Sequence, residues 1–445
     1  MTVHLRKLIP LALPLILANT TITAMQLVDA LVLARHSADS VAAMGPASMA
    51  VILIQSLVFG ATGYTSVFCS HAFGAGDAAG VRRSAWLGLH LAWMIGLALL
   101  LLAWPLGIGF FHVGHPIAVA RDAAVYFRWM VAGSLLVGVT SALGGWLSGI
   151  GRTKVLTAVH VAGFAVNAVL AWSLVLGNLG CPALGMQGAA LATLAAEGFT
   201  ACALFVLFLR SGGWSPIARR IDLSALSHFL SLAVPQGAKV AVELLAWTAF
   251  LFYIGRLGVV PLAASSIAFR INGLAFFPLL GLGQATGILI GQARGAGRDE
   301  EVPSIAWQSL LLGEGWMLVF VILFLTVPEA LFALFTGTHD SPINTLGAGL
   351  LGYVAVYSIF DAANVILGCS LSATGDTRWS LKLFLISSAI FLVSLHLMDR
   401  FAPSLSRSWL LATLFVLGTA VAWVMRFRGG KWKECKVLDE ADQAA

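Results

Sequence analysis

Apolar runs of about twenty residues, the length that crosses the hydrocarbon layer of a bilayer, recur along this chain between short polar stretches. Windows of that size predict spans at Leu8–Ala34, Pro46–Ser70, Ala85–Phe111, Val125–Leu147, Val155–Leu176 and Met186–Leu209. After a more polar stretch the pattern resumes at Phe229–Phe252, Leu262–Ile290, Ile305–Val327, Leu346–Leu371, Leu381–Leu397 and Trp409–Val424. The runs are too long for the core helices of a water-soluble domain. Gly and Pro interleave with Leu, Val and Ala, as membrane helices tolerate. The pattern predicts an all-α integral membrane protein with twelve transmembrane helices.

Composition sharpens this picture. Of 445 residues, 59% are hydrophobic and 10% charged, whereas a soluble domain carries about 25% charged residues. The first apolar segment is longer than a signal-peptide core and reads as an uncleaved anchor. Positive charges then set the orientation. Arg6 and Lys7 precede the first span, and Arg82, Arg83, Arg152, Lys154, Arg210, Arg294, Arg298, Arg378 and Lys382 fall in every second loop. The end of the chain adds Arg426, Arg428, Lys431, Lys433 and Lys436. An even number of spans with both termini in the cytoplasm satisfies this asymmetry, and a bacterial inner membrane is the expected location. The pI near 9.2 therefore reports topology, and no nucleic-acid partner is expected. The five cysteines show no metal-binding spacing and read as small apolar filler.

The chain repeats itself. Gly74-Ala75-Gly76 follows the second span and Gly295-Ala296-Gly297 the eighth, with Ala42-Ala43 and Ala263-Ala264 at matching distances upstream. Leu147-Ser148-x-x-Gly151-x-Thr153 after the fourth span returns as Leu371-Ser372-x-x-Gly375-x-Thr377 after the tenth. Both pairs fall on the same side of the membrane, so the halves are parallel repeats of six helices. The expected organisation is an N-terminal lobe over 1–212, a cytoplasmic linker over 213–227, a C-terminal lobe over 228–428 and a cytoplasmic tail over 429–445. Two such lobes around a central cleft suggest a transporter that rocks about a substrate held near the midplane, while a channel or a membrane enzyme can be duplicated as well, so the repeat alone does not decide.

Charges inside spans stand out, because one at the bilayer centre costs about 2.5–3.5 kcal/mol on insertion scales. Asp29, Glu197, Glu243, Glu314, Asp361, Lys239 and Arg270 all lie there. Tyr357 precedes Asp361 by four residues and Asn364 follows by three, so a helix gathers phenol, carboxylate and amide on one side. Together with Glu243 these oxygens suit Na⁺, and the same carboxylates serve equally as proton carriers. Lys239, one turn before Glu243, offers it a purely structural partner. Asp29 follows Asn19 and Gln26 in a polar stripe on the first span. Glu197 and Glu314 carry less weight, each flanked by a glycine that signals close helix packing. Arg270 has no acidic neighbour on its own helix. Of ten histidines only His160 sits where it draws notice. No GxSxG, HExxH or Walker A pattern occurs, so an enzyme is not expected, and active transport would draw on an ion gradient.

These motifs resemble those of the multidrug and toxic compound extrusion (MATE) family, NorM-like branch, over essentially the whole chain. The resemblance rests on Pro14 with Val28-Asp29, on Gly74-Ala75-Gly76-Asp77, and on Leu147 through Lys154 with Asn167. It continues in Gly185-x-x-Gly188-Ala189-Ala190-x-Ala192-Thr193, Pro235 with Glu243, Ala263-Ala264, Tyr357-x-x-x-Asp361 and Gly430-Lys431-Trp432-Lys433. It implies export of small organic cations in exchange for Na⁺ or H⁺, with no cofactor besides the coupling ion, in contact with membrane lipid and working as a monomer. It implies a cation site of Glu243, Tyr357 and Asp361, and a first-helix acid, Asp29, beside Asn167. Gln26, Asn167, Asn364 and Arg270 are then candidates for the substrate cleft. Two departures matter. Ala171 stands where some members carry a second acid, and Arg270 stands where a neutral polar residue is expected. The rival readings are a lipid-linked oligosaccharide or natural-product flippase of the same superfamily and, from another class, a membrane-embedded transferase.

Overall fold

In a computed structural model, residues 3–109, 117–338 and 341–438 are described, and they form helices joined by short turns. Phe111, the expected end of the third span, and tail residues 439–445 lie outside them, as do the side chains of Ala42 and Ala43. The first repeat holds α1 (Val3–Ala34), α2 (Ala38–Gly63), α3 (Thr65–Gly74), α4 (Ala78–Gly107), α5 (Ile117–Ala132), α6 (Ser134–Gly149), α7 (Thr153–Leu176) and α8 (Gly185–Phe208). The second holds α9 (Leu223–Arg256), α10 (Val259–Gly295), α11 (Glu301–Thr326), α12 (Pro328–Thr336), α13 (Pro342–Ala373), α14 (Thr377–Phe401) and α15 (Leu405–Arg428).

Among the described residues, eleven helical segments are long and apolar enough to cross a membrane, with α2 and α3 continuing as one, and the pair α5–α6 makes a twelfth. That pair bends by 41° at Gly133, where a Cβ would collide with Leu194 of α8. Leu101, Leu311 and Phe401 are 79%, 73% and 77% exposed, which only an apolar solvent accommodates on such a scale. Ahead of α9, Asp222 accepts hydrogen bonds from the N–H groups of Ser224 and Ala225 and pairs with Arg83. The Ala225 N–H first, then Ser224 and Arg83, hold this exposed carboxyl below its ordinary range.

The duplication is written into the helix ends. At the close of α3, Ala75, Gly76 and Asp77 donate to the carbonyls of His71, Phe73 and Ala72. At the close of α10, Ala296, Gly297 and Arg298 repeat the pattern onto Gln292, Arg294 and Ala293. Gly76 and Gly297 sit at φ +74° and +71°, the left-handed conformation that ends a helix and that glycine adopts without strain. The ends of α6 and α13 form a second matched set, with Gly151 and Gly375 at φ +78° and +96°.

Two compact units result, one of Met1–Ile16 with Val242–Val437 and one of Leu17–Ala241 with Leu438–Ala445. In the second of these, a Cβ on Gly149 would lie 2.7 Å from Ser66 O, and one on Gly145 2.9 Å from Ser66 N, so α6 crosses α3 backbone to backbone. In the first, the related crossing of α10 and α13 carries its glycine on the other partner: Gly287 faces Cys369 O and Ala373. Contacts of α1 and α9 are likewise matched. Within one unit Ile16 lies against Gly281 of α10, where a Cβ would come 2.8 Å from Ile16 N. Within the other, Gly237 of α9 lies against α2, with a Gly60 Cβ 2.8 Å from its Cα. Each repeat thus begins with a helix whose first half packs against the second helix of the other repeat.

Small residues at such crossings replace the hydrophobic driving force that lipid removes. Gly149→Val is expected to destabilise the fold by about 1–3 kcal/mol, because backbone atoms of α3 cannot step aside. Gly418→Ala, with open space around its Cβ, is expected to be neutral or mildly stabilising. Thermal melting of the two purified variants in detergent checks the contrast.

Candidate functional site

In the unit containing Val242–Val437, α13 presents Tyr357 and Asp361 one turn apart, 2% and 8% exposed. The phenol ring stacks on Trp409 of α15, with centroids 6.5 Å apart and planes within 9°, and tilts against Trp247 of α9 at 6.4 Å. Trp409 is fixed in turn by stacking on Phe269 and by donating Nε1–H to Ser265 Oγ at 3.2 Å. Burial of rings on both sides leaves Tyr357 Oη with no hydrogen-bond partner among the described residues. Glu243 of α9 and Glu314 of α11, both half-buried, act electrostatically on Asp361. Asn364 spends its amide N–H on Val416 O at 3.0 Å, and its Oδ1 is a further buried acceptor without a partner among the described residues.

Arg270 is exposed, on the face of α10 that also carries Leu274 and Phe277. Among the described residues it forms no ion pair. No group of three or more His, Cys, Asp or Glu among the described residues could hold a metal ion. Oxygen donors at this place are therefore Asp361 with the neutral oxygens of Tyr357 and its neighbours, under the influence of two further carboxylates.

In the other unit, Asp29 of α1 is 3% exposed. Thr193 of α8 donates its hydroxyl to Asp29 Oδ2 at 2.9 Å, and Asn167 of α7 donates Nδ2–H to Thr193 Oγ1 at 3.3 Å. Tyr126 of α5, 6% exposed, stands within the field of the Asp29 carboxylate. Asp29 Oδ1 and Asn167 Oδ1 are both buried without a hydrogen-bond partner among the described residues. Two such acceptors facing an apolar interior call for a proton or a cation between them and their surroundings. Gln26, three residues earlier on α1, is exposed, and Ala171 is fully buried on α7.

Sequence reading therefore names the residues of two separate clusters and leaves out parts of each. Thr193, which bonds Asp29 directly, stands inside a quoted motif but carries no charge to draw attention. Trp247 and Trp409 are ordinary span residues until the fold stacks them around Tyr357. Glu314 gains weight from its electrostatic reach to Asp361, which no spacing on α11 reveals.

Comparison with known proteins places these features in a family. The model of the family described as MatE matches residues 14–173 and 235–398. A Burkholderia mallei protein described as a probable multidrug resistance protein NorM is 31% identical over 381 residues, 83% of this chain and 80% of that one. A protein of Deinococcus radiodurans with the same description is 29% identical, covering 87% of this chain and 86% of its own length. Among solved structures, the outward-facing conformation of a multidrug resistance MATE family transporter of the MOP superfamily superimposes with a TM-score of 0.87 at 19% identity, covering 96% of both chains. A MOP superfamily transporter from Pyrococcus furiosus, described as having a binding pocket of reverse polarity, gives 0.82 at 19% identity. At these identities the two structures speak for the fold.

An unpartnered buried hydroxyl destabilises a fold by about 1–3 kcal/mol. Tyr357→Phe is thus expected to keep or raise the melting temperature of the purified protein in detergent. A fall of several degrees would mean that the hydroxyl holds the fold together, and would remove it from the list of ion-site candidates.

Proposed function

The chain belongs to the MatE family, and on that premise we propose that it is a secondary multidrug efflux transporter that exchanges small organic cations for Na⁺ or H⁺ by alternating access. It is a multi-pass membrane protein whose work is transport. Coupling is assigned to Glu243, Tyr357 and Asp361 in one lobe and to Asp29 in the other. The observation that carries this reading is that each lobe buries a carboxylate beside an unpartnered neutral oxygen: Asp361 with Tyr357 Oη, and Asp29 with Asn167 Oδ1.

A buried acid that lacks a counter-ion must take up a proton or a cation, because desolvation penalises the bare charge. Asp361 is buried and forms no ion pair among the described residues, so its site accepts positive charge from any available source. An organic cation supplies that charge as well as Na⁺ or H⁺ does. Ion and drug then compete, and transport follows if each favours a different orientation of the lobes 1–212 and 228–428. Gln26, Asn364 and Arg270 are assigned to the substrate path. The alternation of Lys and Arg between loops supports both termini in the cytoplasm of a bacterial inner membrane, and one chain suffices for both lobes.

Ethidium movement in proteoliposomes tests the proposal, first under an imposed Na⁺ gradient and then under a pH gradient. Transport driven by one of them is expected, and Glu243→Gln with Asp361→Asn is expected to abolish it while leaving the elution profile of the purified protein unchanged. No response to either gradient would count against drug efflux and favour a single natural product or lipid as cargo.

A further inference from the structure

The helix α14 has two distinct faces. Phe384, Ser388, Phe391 and Leu395 are buried and recur at the helical period, so they mark the side turned to the protein. Opposite them lie Arg378, Lys382, Leu385, Ile386, Ile390 and Val393, all exposed. Their spacing of i, i+4, i+7, i+8, i+12 and i+15 makes a single stripe. It is basic over its first turn and apolar thereafter. The rise from Lys382 to Val393 is about 16 Å, against about 30 Å for the whole hydrocarbon layer. The stripe therefore has the depth of one leaflet, with two cations at its head.

Those cations are not spent within the protein. Asp376, which precedes the helix, accepts hydrogen bonds from Arg426 Nε and Nη2 at 2.7 and 3.1 Å. Asp399, the only Asp or Glu on α14, lies at its far end and pairs with Arg256. Arg378 and Lys382 form no ion pair among the described residues. Trp379, next to Arg378, packs on Trp423 with centroids 5.3 Å apart and lies 5.1 Å from the Arg426 guanidinium. A tryptophan at the end of a span sits at headgroup level, which puts both cations at the plane of the lipid phosphates. The first repeat supplies a contrast. Matching Thr153 to Thr377, as the repeated motif does, sets Lys154 against Arg378 but Ala158 against Lys382. On α7 the pair is thus incomplete.

We propose that this face of α14 binds one anionic phospholipid, with the phosphate bridging Arg378 and Lys382 and an acyl chain lying along Leu385, Ile386, Ile390 and Val393. Side chains one turn apart start about 6 Å from each other, and the long stems of Arg and Lys let both charged ends converge on one phosphodiester. A zwitterionic headgroup brings its own ammonium, which offsets the attraction. A free phosphate ion gains the two charges but none of the apolar contact. Net negative charge joined to a hydrocarbon chain is what the stripe selects. In the orientation proposed above, this lipid belongs to the cytoplasmic leaflet, whose anionic lipids attract basic residues beside a span.

Native mass spectrometry of the full-length protein in detergent, titrated with phosphatidylglycerol or with phosphatidylcholine of the same chains, tests this. The parent is expected to retain one phosphatidylglycerol in clear preference to phosphatidylcholine. Arg378→Gln with Lys382→Gln should weaken that binding about thirtyfold, the effect of two basic residues near an anionic surface. Arg378→Lys with Lys382→Arg should preserve it. Arg152→Gln with Lys154→Gln, which removes two charges around the matching helix start of the first repeat, should leave it unchanged. Undiminished phosphatidylglycerol binding in the Arg378→Gln, Lys382→Gln variant would overturn the proposal. Equal retention of phosphatidylcholine by the parent, or an equal loss in the first-repeat variant, would do so too. Displacement of the lipid by millimolar inorganic phosphate would also contradict it, by making the pair a site for a free anion. None of these readouts involves drug movement, so they decide the lipid site whether or not the exchange proposed above holds.

Discussion

Hydrocarbon offers no hydrogen bonds, and that single property of the solvent governs both how this chain folds and where it can act. Inside the layer each backbone group must bond within the chain, which leaves helices as the only economical form for a sequence of this kind. Lipid also withdraws the hydrophobic attraction between helices, so close approach has to come from shape. Glycines at the α3–α6 and α10–α13 crossings provide it, and so do Gly60 with Gly237 and Gly281 with Ile16. The same absence of water makes every side-chain charge in a span conspicuous. Asp29 and Asp361 persist at 3% and 8% exposure without the arginine or lysine that a structural ion pair would supply among the described residues.

The two clusters solve the problem of a buried acid by different chemistry. Around Asp361 the surroundings are aromatic and acidic, with Tyr357 stacked on Trp409 and two other carboxylates within electrostatic reach. Around Asp29 the surroundings are small and hydrogen-bonding, a chain of amide, hydroxyl and carboxylate. Ala171 is fully buried on α7, and Thr193 is the residue that donates a hydrogen bond to Asp29.

Much of this was legible from residue patterns, for reasons that can be named. Spans follow from hydropathy because length is fixed by the thickness of the layer. The duplication follows from the helix ends, where Gly76 and Gly297 occupy a backbone conformation that few other residues adopt, and so leave a trace in sequence. Asp361 and Tyr357 were visible because a charge in an apolar run is rare. What sequence could not carry is contact across helices. At Gly133 a Cβ would run into Leu194 of a helix distant in sequence. The packing of α1 and α9 against helices of the opposite repeat depends on which glycine meets which backbone. Thr193 is an ordinary threonine until α8 sets it against α1. The short helix Pro328–Thr336 escaped because nine residues neither span a layer nor break a hydropathy plot.

In the proposed exchange, drug and proton answer the same need for positive charge at buried acids. Calorimetric titration of the purified protein with tetraphenylphosphonium, in buffers of different ionisation enthalpy, measures how many protons leave when the cation binds. At near-neutral pH and without Na⁺, the account predicts that protons are released on binding, and that release disappears when Asp361 is replaced by Asn. Binding of equal strength with no proton release in the parent protein, and with no competition from added Na⁺, would contradict it.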